Sequence, residues 1–473
     1  MKISCPRLII GGTHSGLGKT ALTLALVVAL RRRGFRVQTF KVGPDFLDPV
    51  YLAVASGRPC YNLDGWMMGH KYVENLFARV TADADIAVIE GVMGLFDGAR
   101  INSLKGSTAE IAAWLKAPVV LAADAHGVAR SLAATVKGYA TFDRRVKIGG
   151  VIANRCSSEN HALLLKQALQ TASLPPLVAA IPWGALPKLP RRNSGAITVD
   201  GKNLSPQLLE KLANVFEQYA SGEELLQLAG TAPHLTANVP VKQAIPQRAR
   251  LGVAYDGAFH FYYQDFFDEL EFRGCELVRF SPISDSCLPD DLDALYFGGG
   301  YPEEMAADLS VNTAMRAAVK QFAQSGRPVY AECGGLMYLC RNLEKADGTV
   351  YPMTGVLPAK TRMHHRIQSL AYTEVFLKED SLWGKRGSMA RGHEFHYSQI
   401  LAGSEGIDGW RSVYSAKKRR TVVPEEEGFQ KGRVLASYVH LHLASRPALL
   451  EYFVKTCAGD GAGPEGRQKQ SSP

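Results

Sequence analysis

The 473-residue sequence has eight cysteines, at positions 5, 60, 156, 275, 287, 333, 340 and 457, yet no CxxC pair and no regular framework among them. That pattern argues against a disulfide scaffold and predicts reduced thiols in a cytoplasmic protein. Long hydrophobic runs are absent too: the apolar stretch 21–30 is too short to cross a bilayer, so no membrane partner is expected. A Gly-rich motif is reached by residue 11, and no signal peptide is expected ahead of it. The basic residues lie in short scattered groups, such as Arg31, Arg32 and Arg33, or Lys417, Lys418, Arg419 and Arg420. With no zinc finger, basic zipper or RNA-binding aromatic signature around them, nucleic acid is not an expected partner. No internal repeat of short period is found.

Hydrophobic residues make up 46% and charged residues 21%, the balance of a globular protein. The length suits two or three domains, and two is the starting count. A net charge of +9, from 54 Lys and Arg against 45 Asp and Glu, would attract an anionic partner such as a nucleotide or a polycarboxylate.

From residue 7 to about 182 the short apolar runs RLII, RVQTF, DIAVIE, PVVLAAD, KIGGVIAN and LVAAIP alternate with helix-length amphipathic segments. They predict buried strands of a mainly parallel, doubly wound α/β sheet. Residues 203–230 are helical in pattern, and the Pro-rich stretch after them predicts a linker at 231–247 between domains at 1–230 and 248–457. RLGVAYD, ELVRF, DALYFGGG and RPVYAEC predict strands of a second α/β domain, and residues 458–473 a disordered tail.

Residues 9–20, IIGGTHSGLGKT, end a strand and open the helical run ALTLALVVALRRR, the setting of a P-loop. Gly12, Thr13, Gly16 and Gly18 would let backbone amides converge on phosphate oxygens. Lys19 would neutralise the β and γ phosphates, and the Thr20 hydroxyl would coordinate Mg²⁺. ATP and Mg²⁺ are the expected cofactors. The loop departs from the usual Walker spacing, since Thr13 stands five before Gly18 and the glycine is Gly12. Arg31 to Arg33 complement the helix dipole before Gly34, a structural role. Asp45 and Asp48 in KVGPDFLDP, and Glu90 and Asp97 in DIAVIEGVMGLFDG, follow strands whose ends share one sheet edge. Asp45 and Glu90 are the expected metal-binding acids, while Asp48 and Asp97 are assigned to substrate or intermediate handling.

PVYAECGGLMYL reads as a strand, a sharp turn at Cys333 and a helix opening on two glycines, the cysteine form of a nucleophile elbow. At a helix N-terminus the thiol is expected to have a depressed pKa, and the Gly334 amide to help stabilise an oxyanion. Gly299 or Gly300 of FGGGYPEE would supply the second donor. RVLASYVHLHL reads as a strand with His440 and His442 on one face, one of them the base. RGHEFHYS holds HExH rather than HExxH, so His393 and His396 would belong to a structural or substrate-contacting loop rather than a zinc site.

Together GTHSGLGKT, KVGPDFLDP, EGVMGLFDG, VAYDGAFHFYY, FGGGYPEE, AECGGLMYL, RGHEFHYS and SYVHLHL resemble the cobyrinic acid a,c-diamide synthase family over nearly the whole chain. The N-terminal half is also similar to dethiobiotin synthetase, and the C-terminal half to class I glutamine amidotransferases. The resemblance implies that MgATP phosphorylates the c and then the a acetate of a corrinoid. Ammonia from glutamine then displaces phosphate, after passing along a path within the protein. It implies that Cys333 forms the glutamyl thioester with His440 as base, and that Asn154, Arg155 and Pro182 lie near adenine. Glutamine and a corrinoid polycarboxylate are thus the implied partners, and nothing in the sequence excludes an oligomer. Three departures stand out: RRNSG replaces the family's Arg-His-Leu-Gly stretch, His260 replaces an Asn, and His442 occupies the place of the triad acid. Hydrogenobyrinic acid and nickel sirohydrochlorin offer similar acetates. A different class, a P-loop positioning ATPase with an inactive glutaminase-like appendage, is disfavoured by the intact Cys333 and His440.

Overall fold

The computed structural model describes residues 2–189, 204–239, 245–401, 409–419 and 421–459. The RRNSG stretch, Arg420 and nearly all of the expected tail lie outside them. The chain divides into two compact units, Met1–Val241 and Lys242–Pro473.

The first unit is built on a seven-stranded sheet. Its strands are β1 (Arg7–Gly12), β2 (Val37–Val42), β3 (Tyr61–Leu63), β4 (Ile86–Glu90), β5 (Val119–Asp124), β6 (Ile148–Cys156) and β7 (Leu177–Pro182). In the order β3-β2-β4-β1-β5-β6-β7 every neighbouring pair is parallel. Both faces are covered, which is why the strands read as continuous apolar runs. Leu8 and Ile10 pack with Leu22 and Leu26 of helix α1 (Lys19–Arg32), while Ile9 joins Phe40 and Phe77 on the opposite face.

Gly18, at φ 86°, turns the chain from the loop into α1, a left-handed conformation that favours glycine. At the other end Arg32 reaches Glu210 and Glu217 of helix α3 (Pro206–Tyr219), and Arg31 donates to the Ala55 carbonyl of helix α2 (Asp48–Ser56). The three-arginine group therefore fastens helices. The stretch expected to begin a linker returns to this unit, since Leu235–Thr236 pairs antiparallel with Lys2–Ile3.

In the second unit four parallel strands, β8 (Ala249–Ala254), β9 (Cys275–Phe280), β10 (Ala294–Phe297) and β11 (Val329–Glu332), correspond to the runs seen in the sequence. The sheet then continues through strands that the sequence does not announce: β12 (Ser369–Leu377), β13 (Met389–His396), β14 (Arg411–Lys418) and β15 (Glu425–Lys431). With β16 (Val434–Ser437) and β17 (His440–Leu441) the ten-stranded order is β9-β8-β10-β11-β16-β15-β14-β12-β13-β17. β16 is parallel to β11, and the remaining pairs are antiparallel.

Two expectations change here. RVLASYVHLHL is not one strand: β16 stops at Ser437, and His440–Leu441 pairs separately with β13. RGHEFHYS is not a loop but most of β13, because its backbone pairs antiparallel with β12 on one side and β17 on the other. Among the described residues no helix is long and apolar enough to cross a membrane.

Candidate active sites

The C-terminal ends of β1, β2, β4, β6 and β7 open onto a cleft of about 640 Å³ in the first unit. Gly16, Gly18, Lys19, Thr20, Asn154, Arg155 and Pro182 all line it. Gly12 and Thr13 do not line it: the Thr13 amide donates to the Ala122 carbonyl and the Gly12 carbonyl accepts from the Leu95 amide. Lys19 Nζ donates to the carbonyls of His14 (3.1 Å) and Met93 (2.6 Å), which hold the ammonium over the loop.

At the floor, the Thr20 hydroxyl lies 2.7 Å from Glu90 Oε1 and 3.4 Å from Asp48 Oδ2. Lys41, which the sequence reading did not single out, stands between these acids with its Nζ 2.7 Å from each. Burial alone would lower the Lys41 pKa, but Asp48, Glu90 and Asp45 together raise it, so the ammonium stays charged. Burial pushes Glu90 up to about 7 against the opposing pull of Lys41, with Asp48 adding to the rise. A lysine inside a fully buried parallel strand was the available signal, because such a side chain is buried only when paired.

Asp45 lines the same cleft, and its Oδ1 accepts from the Leu47 and Asp48 amides at the start of α2. Asp97 does not line it: its Oδ2 accepts from the Gly94 amide and braces its own turn. The oxygens of Thr20, Asp48 and Glu90 are the hard donors a Mg²⁺ ion prefers, and Glu90 Oε2 is buried without a hydrogen-bond partner. No group of three or more His, Cys, Asp or Glu side chains forms a cation site by itself among the described residues. An ion here would therefore complete its shell with water or phosphate oxygens.

At the far wall Asn154 donates to the Leu17 carbonyl (2.7 Å), while Arg155 joins Asp124 (2.6 Å) and the Gly16 carbonyl (3.1 Å). Trp183 remains 60% exposed beside them, its ring 5.6 Å from the Arg155 guanidinium and 4.8 Å from the His126 ring. The sequence reading passed over this tryptophan. An exposed flat ring at the mouth of a cleft offers a stacking surface to a base.

In the second unit Cys333 occupies the turn between β11 and the short helix α4 (Gly334–Leu339), at φ 48° and ψ −103°. A non-glycine residue held there is strained, as at a nucleophile elbow, although the Cys333 side chain itself is buried. The Gly300 amide nitrogen lies 3.1 Å from where a Cβ on Gly334 would sit, so two of the residues expected to supply oxyanion donors are neighbours at the elbow. The thiol departs from expectation. Burial raises the Cys333 pKa rather than lowering it, with Glu303 adding to the rise, and a helix of only six residues does not offset this.

His440 is buried and its pKa lies well below the ordinary value, through burial and then through His393 and His396, so the imidazole is neutral. A neutral imidazole can take the proton of a protonated thiol as the sulfur attacks. A Cβ on Gly299 would sit 2.4 Å from His440 Cε1 and 3.1 Å from Nε2. Gly299→Ala should therefore displace the His440 ring and, if that ring is the base, lower glutamine turnover by about 10²–10⁴-fold, while turnover with ammonia is retained. Steady-state assays with each nitrogen source check this.

His442 has another setting, with Nε2 3.2 Å from Asp265 Oδ2. His393 stacks on His440, and His396 on Tyr438. His260, buried at 4% exposure, has its amide bonded to the Gly299 carbonyl, and burial lowers its pKa to about 4.

Comparison with known proteins follows the same division. Residues 8–196 match the CobQ/CobB/MinD/ParA nucleotide binding domain, and residues 250–448 the CobB/CobQ-like glutamine amidotransferase domain. A cobyrinate a,c-diamide synthase of Syntrophotalea carbinolica is 52% identical over 459 residues, which cover 97% of this chain and 100% of that one. Another from Leptospira interrogans is 42% identical, covering 97% and 99%. One from Archaeoglobus fulgidus is 37% identical, covering 96% and 98%. With a nucleotide cleft and a cysteine elbow on one chain, and relatives that match from end to end, this protein belongs to the cobyrinate a,c-diamide synthase family of glutamine-hydrolysing ligases.

Proposed function

We propose that the chain amidates the a- and c-acetate carboxylates of cobyrinic acid, in the cytoplasm, with ATP and glutamine as co-substrates. Residues 1–230 carry amide synthesis and residues 248–457 the glutaminase. The observation that supports this best is the coexistence of the Lys19–Thr20–Glu90 cleft and the Cys333 elbow on one chain with full-length synthase relatives.

Cys333 attacks the carboxamide carbon of glutamine, and its proton passes to His440 Nε2. The Gly334 amide, with that of Gly299 or Gly300, holds the oxyanion. The proton on Nε2 then goes to the departing nitrogen, releasing ammonia and leaving a thioester. Water, deprotonated by the same imidazole, hydrolyses the thioester to glutamate and restores the thiol.

In the cleft Lys19 and the loop amides bind the phosphates, and Asn154, Arg155 and Pro182 border the adenine. Thr20 and Glu90, with Asp48 or Asp45, hold Mg²⁺, which when bound screens the phosphate charge. Transfer of the γ-phosphoryl group to a substrate carboxylate gives an acyl phosphate, and ammonia displaces phosphate to form the amide. Asp97 supports this cleft through its turn.

The test is release of phosphate and glutamate in the presence of cobyrinic acid, hydrogenobyrinic acid or nickel sirohydrochlorin. Cobyrinic acid should give diamide and the greatest stimulation. Equal or greater diamide formation from another ring would reassign the substrate, and no stimulation by any ring would overturn the reading.

A further inference from the structure

We propose that Glu332, the residue immediately before the nucleophile, is the acid that orients His440. Together they form a Cys333–His440–Glu332 triad in a chain that carries His442 where the third member is otherwise expected. The inference rests on the glutaminase reading above.

Glu332 closes β11 and is 3% exposed. Its Oε2 lies 3.8 Å from His440 Nδ1, while its Oε1 accepts from the Leu441 amide at 3.0 Å. One carboxylate thus reaches the base and also holds the backbone directly after it. Two tyrosines fix its position: Tyr330 donates to Oε1 (2.6 Å) and Tyr296 to Oε2 (2.8 Å). The opposite side of the imidazole faces the Gly299 turn, where the expected oxyanion donors lie.

The two ring nitrogens therefore have different surroundings, with a carboxylate beside Nδ1 and the oxyanion turn beside Nε2. That is the division a base requires, because Nδ1–H pointing at an acid leaves the Nε2 lone pair free for the thiol proton. The ring plane is held as well. β17 pairs with β13 so that His393 stands opposite His440, the rings stacked at 5.0 Å and 16°, and the Tyr263 hydroxyl is 3.1 Å from His393 Nδ1.

At 3.8 Å the contact is longer than a hydrogen bond, and such contacts tighten as charge develops. When the thiol proton reaches Nε2, Nδ1–H stays on the ring and its attraction to Oε2 grows. The Nε2 proton then leaves with ammonia, and the neutral ring returns. Burial raises the Glu332 carboxyl to about 7, against the bonds from Tyr330, the Leu441 amide and Tyr296 that favour its ionised form. His393, His396 and Glu394 from β13 act on His440, His442 beyond β17 acts on Glu332 beside its two tyrosines, and Glu332 in turn raises the neighbouring Cys333 thiol.

Glu332→Gln tests the assignment. The amide oxygen can keep the Tyr330 and Leu441 bonds, but an NH₂ beside Nδ1 favours the Nε2–H tautomer, which cannot accept the thiol proton. The kcat for glutamine should fall about 10²–10⁴-fold, as expected when a base is held in the wrong tautomer. KM for glutamine and ammonia-dependent amidation should be little changed, the pH profile of Cys333 alkylation should move, and Glu332→Asp should recover part of the rate. In the unsubstituted protein, ¹⁵N-histidine spectra, with His440 assigned by its loss in His440→Gln, should show Nδ1–H.

Glutamine kcat within twofold of the parent in Glu332→Gln, or an Nε2–H tautomer at His440, would overturn the triad. If Glu332→Gln also loses ammonia-dependent activity, the tautomer decides. Glutamine use surviving in Cys333→Ala would bring down the glutaminase reading itself. Its loss there, but not in Glu332→Gln, would bring down this assignment alone.

Discussion

Replacing Cys333 by alanine abolishes glutamine-dependent amidation, by roughly four to six orders of magnitude as for loss of a nucleophile elsewhere, and leaves amidation with ammonium salts in place. The first effect follows from the elbow. No other described cysteine stands in a strained strand-to-helix turn, since Cys333 is the one cysteine with positive φ. The second follows from the position of Lys19, Thr20 and Glu90, which line a cleft in the other unit and do not depend on the thiol. Removing the sulfur costs little stability, because the Cys333 amide still donates to the Ser437 carbonyl and the turn keeps its backbone bonds. Assays of glutamate release and of diamide formation with each nitrogen source separate the two effects.

Lys41→Met has a different signature: both nitrogen sources fail and the first unit loses stability. Methionine fills similar volume but leaves Asp48 and Glu90, each with a side chain 1% exposed, facing one another without the cation between them. Breaking a buried ion pair by removing one partner costs about 3–5 kcal/mol. At about 2–4 °C per kcal/mol for a unit of this size, the melting temperature falls by roughly 6–20 °C. The loss is partial because Glu90 can take up a proton. Thermal unfolding at neutral pH gives the value. An unchanged melting temperature would mean that Lys41 contributes no net stability in its buried cluster.

The parts of the sites that the sequence made plain are those fixed by local pattern. The strand, glycine turn and helix around Lys19, and again around Cys333, are contiguous. Their geometry follows from glycines and from strands buried on both faces. What escaped is set by distant pairing. β15 is EEEGFQK, a run with little strand propensity whose conformation is imposed by β14 and β16 on either side. Lys41 was visible as a lysine in an apolar run, but its meaning depends on the ends of two other segments. Glu332 was hidden differently. Its neighbour in sequence is the proposed nucleophile, yet its contact with His440 arises because the strand breaks between β16 and β17. The thiol was misjudged because helix position was weighed without burial.

The most direct test of a single enzyme that makes and then uses its own ammonia is isotope transfer from [amide-¹⁵N]glutamine. With cobyrinic acid and MgATP, the product should be the a,c-diamide with ¹⁵N in both amides, and Cys333→Ala should yield no labelled product. Diamide formed without label, or labelled equally well by the alanine variant, would contradict the account.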